Sequence, residues 1–259
     1  MSDRFSLRTE DLTIRFGGHA AVDGVNCAFR PGELTVIVGP NGAGKTTWFN
    51  LVSGQLHPTA GRVYKDGRDI TALSPSARAK AGIGRAFQLT NLFPQLSVLE
   101  NVRLAVQARQ GAGPSIFRRA AGLDAIREEA AQHLTSARLA AVAHYPAAAL
   151  PHGDQRKLEV AMLIAMQPDI YMFDEPTAGM SVDEAPAILD LIAEIKKDTT
   201  KTVLLVEHKM DVVRALADRI VVLHNGELVA DGAPDTVMTL PIVREIYLGV
   251  GVDDEEEVA

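Results

Sequence analysis

Apolar and polar residues alternate through LRTEDLTIRF and again through VDGVNCAF, broken by Gly17, Gly18 and Gly24, and this period of two predicts antiparallel strands. The unbroken apolar run ELTVIVG predicts a buried strand, and TTWFNLVSG after it a helix. GRVYKDG reads as strand and turn, SPSARAKAG as a short helix, and IGRAFQ as a strand ending at Gln88. From Ser97 to about Ala149 the pattern changes to Ala, Arg, Leu and Glu at helical spacing, interrupted by GAGPS at 111–115. The remainder returns to alternation of element types: PDIYMFDEP (strand), VDEAPAILDLIAEIKKD (helix), KTVLLVEH (strand), MDVVRALA (helix), then the strands DRIVVLHNG and ELVADG. Strands alternating with helices predict a mostly parallel α/β core, with an antiparallel β subdomain in front and an inserted α-helical subdomain. The expected division of one domain over 1–259 is a core of 1–94 and 166–235, a helical subdomain of 95–165, a helical extension of 236–250 and an acidic tail of 251–259.

Composition changes this picture little. The chain has 259 residues, 47% hydrophobic and 23% charged, enough for a sizeable core. Its net charge of −7 is mostly the run Asp253, Asp254, Glu255, Glu256 and Glu257, so the body is near neutral and shows no basic excess for nucleic acid. Cys27 is the single cysteine, which excludes an internal disulfide and suits a reducing compartment. The polar start MSDRFSLRTE predicts no secretory signal, and no run nears the roughly 18 apolar residues of a membrane span, so any membrane segments are expected on other chains.

The chemistry is concentrated in GPNGAGKTT, residues 39–47. Gly39, Gly42 and Gly44 let the backbone curl so that N–H groups, those of Asn41 and Ala43 among them, turn toward phosphate oxygens. Lys45 reaches the β and γ phosphates, Thr46 offers a hydroxyl to Mg²⁺, and Thr47 continues into the helix. The strand before and helix after are the context this loop requires, because the helix N-terminus favours negative charge. Asp174, closing the apolar strand IYMF, is the expected metal-side carboxylate, and Glu175 is placed to polarise a water; the alternative is a solvated loop end. Gln88 has an amide suited to metal and water. His208 ends a strand, where packing competes with catalysis, and Phe16 is either an adenine platform or a core residue. The other histidines lack metal-ligand spacing, so no zinc site is expected.

Taken in order, these residues resemble the ATP-binding cassette (ABC) ATPases over essentially the whole chain. The resemblance implies an adenine-stacking Phe16, a γ-phosphate-sensing Gln88, a general base in Glu175 and a switch histidine in His208. It also implies a signature loop in LPHGDQRKLEVA from Leu150, whose His152 and Gly153 would meet nucleotide held by a partner subunit. Within the family, RFGGHAAVDGV, GRAFQLTNLFPQLSVLENV, DEPTAGMS, LLVEHKMDVV and PIVREIYLG are similar to the LivG-like subunits of branched-chain and hydrophobic amino acid importers. Relatives handling urea, amides or small organic acids share much of this wording.

Leu150–Asp154 departs from the usual LSGGQ: Pro151 has neither hydroxyl nor N–H to offer. Asp154 is read as either a helix cap or a ribose contact. Ser181 and Lys209 stand where relatives often carry Asp. The resulting expectation is a transport ATPase on the cytoplasmic face of the inner membrane, using ATP and Mg²⁺. Its expected partners are a second, different ATPase subunit, two transmembrane permease subunits and, indirectly, a periplasmic substrate-binding protein, without nucleic acid. NLFPQLSVLENV is the expected permease contact, its apolar residues otherwise packing the helical subdomain. The rival readings are a soluble ABC ATPase outside transport and a regulatory subunit with little hydrolysis.

Overall fold

The computed structural model describes residues 5–86, 92–111 and 120–248. Gln88 and the acidic tail lie outside the described residues. The alternating segments at the front form β1 (Leu7–Phe16) and β2 (His19–Phe29), which pair antiparallel and are joined by β4 (Ala60–Lys65) and β5 (Arg68–Asp69) in the order β2-β1-β4-β5. The second sheet contains β3 (Leu34–Val38), β6 (Ile83–Ala86), β7 (Ile170–Asp174), β8 (Thr202–Val206), β9 (Arg219–His224) and β10 (Glu227–Gly232). Their order is β10-β9-β3-β8-β7-β6, and only the β9–β10 hairpin is antiparallel.

Every residue of β3, β7 and β8 is buried, because both faces of this sheet are covered; such strands read as unbroken apolar runs. On β7, Met172 packs with Trp48, Phe49 and Phe29 toward the antiparallel sheet, while Phe173 joins Leu134, Leu158 and Ile188 on the helical side. That helical side comprises α3 (Val98–Arg109), α4 (Ala120–Ser136), α5 (His152–Met166) and α6 (Ala185–Lys196). Ser97 starts α3 by accepting a hydrogen bond from the Glu100 N–H at 3.1 Å, as N-cap serines do. The last of these helices begins later than the pattern VDEAP predicts. Residues 181–184 form a turn closed by Glu184 N–H on the Ser181 carbonyl, and Pro186 falls in the first helical turn, where its missing N–H costs nothing.

The phosphate-loop helix, α1 (Lys45–Ser53), is secured at its far end by Arg78 of α2 (Pro75–Lys80). Arg78 is fully buried. Its guanidinium donates to the carbonyls of Leu51 at 2.6 Å, Val52 at 2.7 Å and Thr71 at 2.7 Å, and burial lowers its pKa to about 10. A cation on the last carbonyls of α1 complements the negative end of the helix dipole. Arg78→Met removes these charge-assisted bonds and leaves the Leu51 carbonyl with the Gly54 N–H, and is expected to cost about 2–4 kcal/mol in urea unfolding. Arg78→Lys, which lacks the planar fork, is expected to recover only part of that loss.

Candidate functional site

Register places the site. Ile37 pairs with Val206, Val206 with Asp174 and Phe173 with Ala86, so the carboxyl ends of β3, β8, β7 and β6 open along one edge, the usual ligand edge of such sheets. The loop after β3 fits there only with glycine at two points. A Cβ on Gly39 would stand 2.1 Å from the Leu223 carbonyl oxygen, and one on Gly44, at φ 97°, would stand 2.4 Å from that of Ala21. The turn of the β9–β10 hairpin presses from outside, with Gly226 N–H donating to the Ala43 carbonyl at 3.1 Å. No side chain caps α1, whose N-cap is Gly44. Its first N–H groups therefore have no helical partner and face a cavity of about 180 Å³ lined by residues 41–47, Ala21 and Glu175.

Lys45 runs along the wall of this cavity, its ammonium donating to the carbonyls of Gly39 at 2.7 Å and Pro40 at 2.9 Å. Burial lowers its pKa, and the nearby Glu175 and Asp174 oppose that shift. Thr46 and Thr47 are half-buried at the start of the helix.

The Asp174 side chain is fully buried, which overturns the reading of a solvated loop end. Its Oδ2 accepts from Arg85 Nη2 at 2.9 Å, while its Oδ1 has no hydrogen-bond partner among the described residues. Burial raises the pKa of this carboxyl and Arg85 holds it down. Arg85 also donates to Asn50 Oδ1 at 2.6 Å and Ser53 Oγ at 3.0 Å, so it ties β6, β7 and α1 together.

Glu175 follows with a left-handed backbone, φ 47°, and its N–H donates to the Val206 carbonyl at 3.0 Å. His208 lies opposite, its Nδ1 3.8 Å from Glu175 Oε1. Its side chain is 56% exposed, so it is not the packed residue that its place at a strand end suggests. Glu207 is buried beneath it, and its carboxylate accepts from the Thr177 hydroxyl at 2.8 Å and from the N–H groups of His208 and Lys209 at 2.9 and 3.2 Å.

Sequence reasoning passes over Arg85 and Glu207. The available signal was a charge at an otherwise apolar position of a strand leading into the site. Phe16, at the tip of β1, is 53% exposed, which corrects the core-packing alternative; it is not in the cavity wall. His152 and Gly153 open α5 away from that wall, Gly153 packing against Glu184. Asp154 does not cap the helix: its Oδ1 accepts from Lys157 Nζ at 2.8 Å.

A glycine-lined loop opening an uncapped helix at the carboxyl edge of a parallel sheet, with two carboxylates at the end of a strand one place removed in that sheet, defines a phosphate-loop nucleotide-binding protein. The ABC transporter family model matches residues 22–178. The high-affinity branched-chain amino acid transport ATP-binding protein BraF of Pseudomonas aeruginosa is 37% identical over 248 residues, covering 94% of this chain and 97% of its own. The protein of the same description named LivG in Escherichia coli K12 is 38% identical over 251 residues, with the same coverage. Among solved structures, a nucleotide-free ATP-binding cassette from an ABC transporter superposes with a TM-score of 0.79 at 29% identity, covering 95% of this chain and 100% of that one. A dimeric post-hydrolysis cassette bound to ADP and Pi gives 0.75 at 28% identity, covering 88% and 98%. The chain belongs to the ABC transporter family and is an ATPase of that family.

Removing Arg85 would strand the buried Asp174 carboxylate. Arg85→Met is expected to cost about 3–5 kcal/mol in urea unfolding. Adding Asp174→Asn, which removes the stranded charge, is expected to return most of that loss.

Proposed function

We propose that the chain is the ATP-hydrolysing subunit of an importer for branched-chain or other hydrophobic amino acids. The observation that carries this is the meeting of Lys45, the bare N-terminus of α1 and Glu175 around one cavity, in a chain whose curated relatives are described as branched-chain amino acid transport ATP-binding proteins. Lys45 and the loop N–H groups from Gly39 to Thr47 would bind the β and γ phosphates, and Phe16 would stack on adenine. Glu175 would act as general base and His208 would hold the γ-phosphate, the two facing each other across 3.8 Å.

A divalent cation suits the oxygens available. The unpartnered Oδ1 of buried Asp174 and the half-buried Thr46 are hard donors of the kind Mg²⁺ takes, with Gln88 a third from outside the described residues. Such an ion neutralises charge on the β and γ phosphates when bound. The residues of this chain supply the rest: Arg85 pairs with the other oxygen of Asp174 and opposes the rise that burial gives its pKa, and Glu175 is held at the cavity wall.

His152 and Gly153 would serve the nucleotide of a second, different ATPase subunit, and the lack of an N–H at Pro151 supports two unequal sites. Phe93, Leu96 and Tyr145 are exposed apolar side chains. Backbone hydrogen bonds from Val98 to Tyr145 and from Ala147 to Leu96 bring their segments together, which supports a permease contact there. Among the described residues no helix is long and apolar enough to cross a membrane, in keeping with a peripheral subunit of the inner membrane's cytoplasmic face beside two permease chains and, indirectly, a periplasmic binding protein.

In the assembled transporter, Glu175→Gln is expected to retain ATP binding and lower hydrolysis by about 10²–10⁴-fold. Leucine uptake into vesicles should fall with it; uptake that persists without hydrolysis, or a complex that transports no branched-chain amino acid, removes the proposal. Two unequal sites further require that Glu175→Gln and the matching substitution in the second subunit differ in effect, and equal losses remove the asymmetry.

A further inference from the structure

Glu175 occupies a backbone region that a non-glycine residue enters only at a cost, so the surrounding structure must hold it there. Part of that hold is local: Ala178 N–H donates to the Glu175 carbonyl at 3.0 Å, and Met180 N–H to that of Thr177 at 3.2 Å, closing a compact turn. The turn is anchored by one side-chain bond, from the Thr177 hydroxyl to Glu207 Oε1 at 2.8 Å. Both partners are 1% exposed, and a hydrogen bond to a buried carboxylate is among the stronger ones. The other oxygen of the same carboxylate receives the N–H groups of His208 and Lys209, fixing the backbone that carries the histidine. One buried side chain therefore grips the loop after Glu175 with one oxygen and the loop bearing His208 with the other.

We infer that Glu207 is a positioning residue for ATP hydrolysis, setting the separation of Glu175 and His208 through its bond to Thr177 and through the two backbone N–H groups. The inference rests on the reading of Glu175 and His208 as the hydrolytic pair. It goes beyond that reading by assigning their alignment to a buried residue outside the cavity lining. Loss of the link should leave the phosphate loop intact and disturb only the chemistry, so kcat falls and KM for ATP does not move.

The test is steady-state hydrolysis by the assembled transporter carrying Thr177→Val, Thr177→Ser, Thr177→Ala or Glu175→Gln, with ATP binding followed separately by fluorescence of Trp48, the single tryptophan, which lies in α1. Losing a bond to a charged group predicts a kcat for Thr177→Val about tenfold or more below wild type. KM and the binding titration should stay within about twofold, and Thr177→Ser, which keeps the hydroxyl, should restore most of kcat. A Thr177→Val kcat near wild type, a loss matched by weaker ATP binding, or failure of serine to rescue overturns the inference. If Thr177→Val does not fold, Thr177→Ala decides by the same readouts, since it too removes the hydroxyl that reaches Glu207. Wild-type turnover by Glu175→Gln removes the reading of the hydrolytic pair and this inference with it. A dead Glu175→Gln beside an unaffected Thr177→Val removes the inference alone.

Discussion

The start of α1 presents N–H groups that no group among the described residues satisfies, and they border an open cavity. A helix terminus left bare is a cost wherever it is buried without an anion, so it persists only where neighbouring structure holds the loop open. Here that structure is the central strand β3 behind the loop, the Asn225–Gly226 turn pressing on Ala43, and Arg78 neutralising the carbonyl end of the same helix. Two glycines admit the close approach of Leu223 and Ala21 that this packing demands. A larger cavity of about 420 Å³ is lined by His133, Tyr171 and Lys201 among others and does not border the start of α1, so the proposed phosphate site rests on the uncapped N–H groups and not on size.

Around that terminus the charges are arranged in opposed pairs. Lys45 faces Asp174 and Glu175, Arg85 holds Asp174 from behind, and Glu207 spends its charge on one hydroxyl and two backbone N–H groups. Each buried charge has a partner, as low-dielectric surroundings require. Among the described residues one oxygen of this group lacks a partner, Asp174 Oδ1, the donor the proposed Mg²⁺ would take. The strained Glu175 and the exposed His208 lie at the same edge, where the proposed general base and switch histidine would face the nucleotide.

The residues of the phosphate loop, the Asp174–Glu175 pair and His208 were legible in the sequence because each rests on local spacing: glycines before a lysine, carboxylates closing an apolar run, a histidine after one. The strand order was not. Nothing in the chain order places β8 between β3 and β7, and it is this crossover that brings His208 to Glu175. Arg85 and Glu207 were missed for the same reason, since their meaning lies in partners 89 and 30 residues away. The start of α6 differs from the pattern because a proline changes the local hydrogen bonding, and of the two readings of Asp154 the helix cap is excluded by its bond to Lys157 three residues on.

Amide hydrogen exchange with and without Mg²⁺–ATP, resolved along the full chain, tests the bare helix terminus most directly. At about 100 times Kd, the amides of residues 42–47 should exchange on the order of a hundredfold more slowly, with His208 following. Unchanged exchange at 42–47, with protection appearing instead around His133, Tyr171 and Lys201, would contradict the account.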